Sequence, residues 1–101
     1  GYPPYSHLIR FMLRHSDYEL LRLAAHTIAR ELRSRFAHRV MGPVSSTLEM
    51  LRGEHRAEIL LKIESGASMK AAREKIKEVL HVARNDKKIK SVTISTDVDT
   101  W

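Results

Sequence analysis

Glu54-His55-Arg56-Ala57-Glu58-Ile59-Leu60-Leu61-Lys62-Ile63-Glu64 is the stretch whose reading decides the fold. Ala57, Ile59, Leu61 and Ile63 alternate with Arg56, Glu58, Leu60, Lys62 and Glu64, the period-two pattern of a strand with one buried face. Upstream, Val40-Met41-Gly42-Pro43-Val44 predicts a short second strand, its proline suited to a sheet edge or a bulge, and Ser45 to Gly53 a long hairpin connection between the two. Further back, Leu21, Ala24, Ala25, Ile28 and Leu32 recur at helical spacing, behind a capping box of Ser16 and Glu19 with Asp17 beside it. That helix is expected to run to about Phe36. Before it, Ile9, Phe11 and Leu13 alternate with Leu8, Arg10, Met12 and Arg14, a half-buried strand from His7 to Arg14.

Downstream, Ser65-Gly66-Ala67-Ser68 supplies a turn and a cap. Ala72, Ile76, Val79 and Ala83 then mark the inner face of a second helix ending near Asn85, with Lys70 and Glu74 as an i,i+4 pair. A last strand from about Ile89 to Val98 is expected to bury Val92, Ile94 and Val98. The order is β-α-β-β-α-β. Two right-handed crossovers sharing one sheet make this an α+β, ferredoxin-like arrangement: a four-stranded antiparallel sheet with both helices on one face. The other face is left open, and should show Leu8, Arg10, Met12 and Arg14 beside Arg56, Glu58, Leu60 and Lys62. Tyr2-Pro3-Pro4-Tyr5 is expected to be extended, so residues 1–6 read as a linker and 7–101 as one domain.

Composition narrows the function. A chain of 101 residues holds one core. Its apolar runs fall far short of the ~20 residues of a membrane span, and nothing resembles a signal peptide, so a cytoplasmic location without membrane contact is expected. The absence of cysteine removes thiolate zinc sites and cysteine nucleophiles, and agrees with a reducing compartment. Eighteen Lys and Arg against 12 Asp and Glu give a net charge of +6, a balance that favours a polyanionic partner. Arg22, His26, Arg30 and Arg33 gather on the far side of the first helix as a basic stripe without an acid.

Chemistry-bearing patterns are sparse. The six histidines lack metal-ligand spacing. Asp97 and Asp99 lie on one side of the last strand and could hold Mg²⁺ or act as an acid/base pair; the favoured reading is that they end the strand and pair with Lys or Arg. An RNA recognition motif shares this topology but stacks bases on aromatics of the two central strands, and here Phe11 falls on the helix side. The four glycines stand alone, so no phosphate loop exists, which also argues against acylphosphatase, the enzyme family of this fold and size.

Four patterns in order carry a resemblance: Tyr2-Pro3-Pro4-Tyr5-Ser6-His7-Leu8, Gly42-Pro43-Val44, the run Leu51-Arg52-Gly53-Glu54-His55-Arg56-Ala57-Glu58-Ile59-Leu60-Leu61-Lys62, and Asp97-Val98-Asp99. Together they resemble the carboxy-terminal domain of the PriA family of primosomal, replication-restart DNA helicases. The resemblance implies a non-catalytic piece of a longer ATP-dependent 3′-to-5′ helicase. Its ATP, Mg and Zn sites would lie outside this segment, leaving no cofactor within it. It implies as partners single-stranded or forked DNA, the helicase core of the same polypeptide, primosome proteins, and the acidic tail of single-stranded-DNA-binding protein. Lys70 and Arg73, at the start of the second helix, match the family's contact for that tail. Arg52, His55 and Arg56 crowd the hairpin tip as DNA candidates, together with Arg22, Arg30 and Arg33 on the helix and Arg10 and Arg14 on the open face. Thr100 stands where the family often has proline. The alternatives are a small acylphosphatase-like enzyme and a purely structural brace on the helicase core.

Overall fold

The computed structural model describes residues 7–45, 52–64 and 66–100; the expected linker at 1–6 and the tip of the hairpin connection lie outside the described residues. The strands are β1 (His7–His15), β2 (Val40–Ser45), β3 (His55–Ile63) and β4 (Thr93–Thr100), and the helices are α1 (Tyr18–Phe36) and α2 (Met69–Asn85). The antiparallel sheet has the order β2-β3-β1-β4, which is the ferredoxin-like arrangement.

Alternation decides the layers. Ile9, Phe11 and Leu13 of β1 and Ala57, Ile59, Leu61 and Ile63 of β3 are buried under the helices, against Leu21, Ala24, Ala25, Ile28, Leu32 and Phe36 of α1 and Ala72, Ile76, Val79 and Ala83 of α2. No polar or charged residue is buried among the described residues, so the core rests on apolar packing alone.

Local details depart from expectation. The cap of α1 is Asp17 rather than Ser16: the Asp17 carboxylate accepts from the Leu20 amide at 3.2 Å. The Asp17 amide is itself held by His15 Nδ1 at 2.8 Å, which sets the cap one residue later. Glu74 pairs with Lys77 at 3.8 Å instead of with Lys70. The last strand begins at Thr93. Ile89 and Val92 are buried, as side chains of the turn that precedes it. Val98, expected inside, lies opposite Ile9 but is 50% exposed, because β4 is an edge strand. At the other edge β2 carries an irregularity between Met41 and Val44, where Gly42-Pro43 sits with a cis peptide bond.

Register sets the two ends of the sheet. His15 pairs with His55, while His7 pairs with Ile63 and Thr100. The start of α1, the β2–β3 hairpin and the start of β4 therefore share one end, the hairpin end. The start of α2 and the end of α1 share the other. At about 3.4 Å per residue a nine-residue strand puts these ends about 27 Å apart.

Candidate nucleic-acid and docking surfaces

At the hairpin end Arg14 of β1 and Arg56 of β3 form one rung of the open face, continued by Thr93 of β4. Glu54 approaches Arg14 at 3.9 Å. Arg52 is exposed on the hairpin turn with φ 56°. His55, grouped with these two arginines in the sequence, is turned to the helix side, where its ring and that of Tyr18 pack in a T-shaped arrangement at 5.4 Å between centroids. One residue of alternation separates it from Arg56, so Arg52, His55 and Arg56 do not make one surface. His15, which sequence reasoning assigned no role, bonds Ser91 Oγ through Nε2 at 3.2 Å and ties the start of β4 to the end of β1.

The basic stripe of α1 runs along the helix flank above β2 rather than opposite the core. At about 100° per residue, Arg22, His26, Arg30 and Arg33 centre about 120° from the buried stripe. Arg22 and His26 line a cleft of about 90 Å³ with Tyr18, Pro43 and Ser45. The stripe is also less free than its composition implies. Glu19 approaches Arg22 at 3.6 Å, and the Arg33 guanidinium donates to the Gly42 carbonyl, holding the edge strand to the helix. Arg30 is exposed.

The open sheet face carries the expected side chains. Arg10 pairs with Glu58 of the neighbouring strand, and Lys62 is exposed beside it. Met12 (36% exposed), Met41 (45%) and Val44 (63%) lie on this face with half-buried Leu8 and Leu60. Phe11 is fully buried on the helix side, so none of the aromatic base-stacking positions of an RNA recognition motif is filled on β1 or β3.

At the opposite end, Ser68 caps α2 by accepting from the Ala71 amide at 3.1 Å. The first turn holds no acid, and Lys70 and Arg73 are exposed with no ion pair among the described residues. The amide dipoles and both cations make this helix start electropositive. Beside it lies a cleft of about 160 Å³ lined by Arg35, Phe36, Arg39, Ala71 and Lys75. The Lys75 ammonium sits 5.6 Å from the centre of the Phe36 ring. Arg39 approaches Glu64 at 3.7 Å. Arg35 bonds Glu78 at 3.2 Å and Glu31 at 3.1 Å, and these two partners raise its pKa above the ordinary guanidinium value.

The β1–α1 link is only Ser16-Asp17, and the helix start is occupied by the Asp17 carboxylate. The position where an acylphosphatase-type loop would cradle phosphate therefore carries a negative charge. Among the described residues no three His, Asp or Glu side chains converge on a point. Asp97 is exposed beside Arg10 in the register; of the Asp99 side chain nothing is described. The sequence has no glycine-rich phosphate loop and no cysteine for a thiolate zinc site. No described helix is long and apolar enough to cross a membrane.

Comparison with known proteins agrees with this architecture. A de novo designed protein, Foldit4, superposes with a TM-score of 0.68 at 13% identity, over 95% of this chain and 98% of the design, which shows the fold alone. No curated protein matches the chain. The profile of the primosomal protein N C-terminal domain, by contrast, matches residues 1–101, the whole chain. The chain belongs to the primosomal protein N C-terminal domain family, a primosomal, replication-related domain.

Proposed function

We propose that this chain is the DNA-contacting and docking domain, itself non-catalytic, of a larger PriA-like ATP-dependent 3′-to-5′ helicase that acts in replication restart in the cytoplasm. In the same reading it helps hold the acidic tail of single-stranded-DNA-binding protein. The observation that carries the proposal is the division of positive charge between the two ends of the sheet. Arg52 and the Arg14–Arg56 rung lie at one end and Lys70 and Arg73 at the other, about 27 Å away. Two anionic partners can then be held at once without competing for one surface. Phosphate binding needs only exposed cations, whereas a peptide tail also gains from a recess, and the cleft of mixed charged and apolar lining beside the start of α2 supports that part of the reading.

The test is fluorescence-anisotropy titration of the 101-residue chain with single-stranded and forked DNA across a salt series, repeated in the presence of an acidic tail peptide. Each phosphate contact steepens the log-log salt slope by roughly 0.7 to 0.9. Replacing Arg52 and Arg56 with Ala should weaken DNA binding and leave peptide binding intact. Replacing Lys70 and Arg73 with Ser should do the reverse. If both pairs affect both ligands equally, the two-ended assignment is wrong.

A second reading, the brace on the helicase core, is favoured by the open face. Met12, Met41, Val44, Leu8 and Leu60 leave an apolar patch around the Arg10–Glu58 pair that a covering domain would dry. Loss of affinity for a separately expressed helicase core in a Met12→Lys, Leu60→Lys variant, with DNA binding unchanged, would support it.

A further inference from the structure

The hairpin end of the sheet carries a second group of cations outside the surfaces already described. Between α2 and β4 the chain reads Asp86-Lys87-Lys88-Ile89-Lys90-Ser91-Val92. This turn is fixed from within. The Asp86 carboxylate accepts from the Lys88 amide at 2.9 Å. The Asp86 carbonyl accepts from the amides of Ile89 at 3.1 Å and Lys90 at 2.9 Å, and the Val92 amide donates to the Ile89 carbonyl at 3.0 Å. Ile89 and Val92 are buried and pin the turn to the core, so Lys87, Lys88 and Lys90 are left exposed.

Position makes these lysines part of a larger feature. The Ser91–His15 hydrogen bond holds the turn against the residue that follows Arg14, and two residues after Ser91 the chain reaches Thr93, which pairs with Arg14, which pairs with Arg56. The lysine turn, held from the helix side through His15, and Arg14, Arg56 and Arg52 thus lie together around the hairpin end of the sheet, at the ends of β4, β1 and β3. With strands about 4.8 Å apart, the strand ends alone span about 10 Å. The acids nearby are engaged: Asp86 by a turn amide, Asp17 by the α1 cap, Glu54 by Arg14. Lys87, Lys88 and Lys90 make no ion pair among the described residues.

We propose that this band is a track for a nucleic-acid phosphate backbone, with Lys87, Lys88 and Lys90 as its principal phosphate contacts. The proposal rests on the nucleic-acid reading above and adds the place and the residues. Preorganisation is the physical gain, because a turn pinned by two buried side chains presents its cations without first being ordered.

The experiment is a salt-series anisotropy titration of the whole chain with a single-stranded oligonucleotide and a forked duplex, comparing three variants. The lysine-turn variant K87S/K88S/K90S is expected to lose about two units of salt slope, three contacts at roughly 0.7 each, and more than tenfold in affinity at low salt. Lys88→Glu alone should shift affinity in the same direction by less, and K87R/K88R/K90R should retain both slope and affinity. If wild type binds DNA but K87S/K88S/K90S keeps its full slope, the lysine track is overturned and the DNA reading survives. If wild type does not bind at low salt, both are overturned.

Discussion

Arg14 of β1 stands directly opposite Arg56 of β3 in the sheet's register, like charges on adjacent strands, with Glu54 at 3.9 Å from Arg14. Facing like charges on neighbouring strands repel, and a phosphate between the two arginines would relieve that repulsion. The double variant R14Q/R56Q is therefore expected to hold its thermal midpoint, with stability changed by no more than about 0.5 kcal/mol. It should also lose about 1.5 units of salt slope for DNA. A stability loss of several kcal/mol with unchanged binding would assign the rung to the fold alone.

Gly42 is the position in β2 where a side chain has no room. Its φ is 101°, and a Cβ there would come within 2.9 Å of the Glu58 carbonyl oxygen and 3.3 Å of the Val44 amide nitrogen. Both neighbours are backbone, so the strand pair itself would have to shift. Gly42→Ala is expected to cost about 2 kcal/mol or more, read as a fall of about 10 °C in the thermal midpoint. The same variant should displace Arg33 from the Gly42 carbonyl.

Ala37 presents the opposite case. It ends α1 at φ 54° and ψ −126°, a conformation that favours glycine, while its amide donates to the Arg33 carbonyl as a helix C-cap. Relief of the Cβ conflict outweighs the added freedom of the unfolded chain, so Ala37→Gly is expected to stabilise by about 0.5 to 1 kcal/mol. Urea denaturation with an unchanged m-value would check it.

Arg35 of α1 links the two helices through Glu78 of α2 and Glu31 of its own helix. Its raised pKa means that the folded state holds the proton more tightly than the unfolded chain. The contribution is complete below the unfolded value and is lost only as pH rises through the folded one, both far into alkali. Arg35→Met should then cost about 0.5 to 1 kcal/mol, discounted because Glu78 is largely exposed. The cost should be the same at about pH 7 and about pH 9, measured as paired denaturation curves.

The strands and helices were legible wherever a local period carried them. The alternation of residues 56–63, the helical stripe from Leu21 to Leu32 and the proline of β2 each match the structure within a residue or two. The misreadings share a cause. Ser16 and Asp17 are both good caps, and only His15 accepting the Asp17 amide chooses between them. Val98 alternates correctly but is exposed, because alternation gives the face of a strand and not its rank in the sheet. Of the site candidates, Arg56 and Arg14 were readable as open-face residues, whereas the detachment of His55 and the use of Arg33 on Gly42 depend on contacts between elements distant in the chain.

The sequence by itself determined the element order, the apolar face of each element, the excess of positive charge and the family. All of these follow from periodicity, composition and ordered motifs within short windows. Only the tertiary structure decided which cations meet. Pairing β1 with both β3 and β4 draws Arg14, Arg56 and the turn of Lys87, Lys88 and Lys90 to one end, and sends Lys70 and Arg73 to the other. The physical reason is that sheet register is set by burying apolar side chains, and the charges on the opposite face are carried along wherever that burial places them.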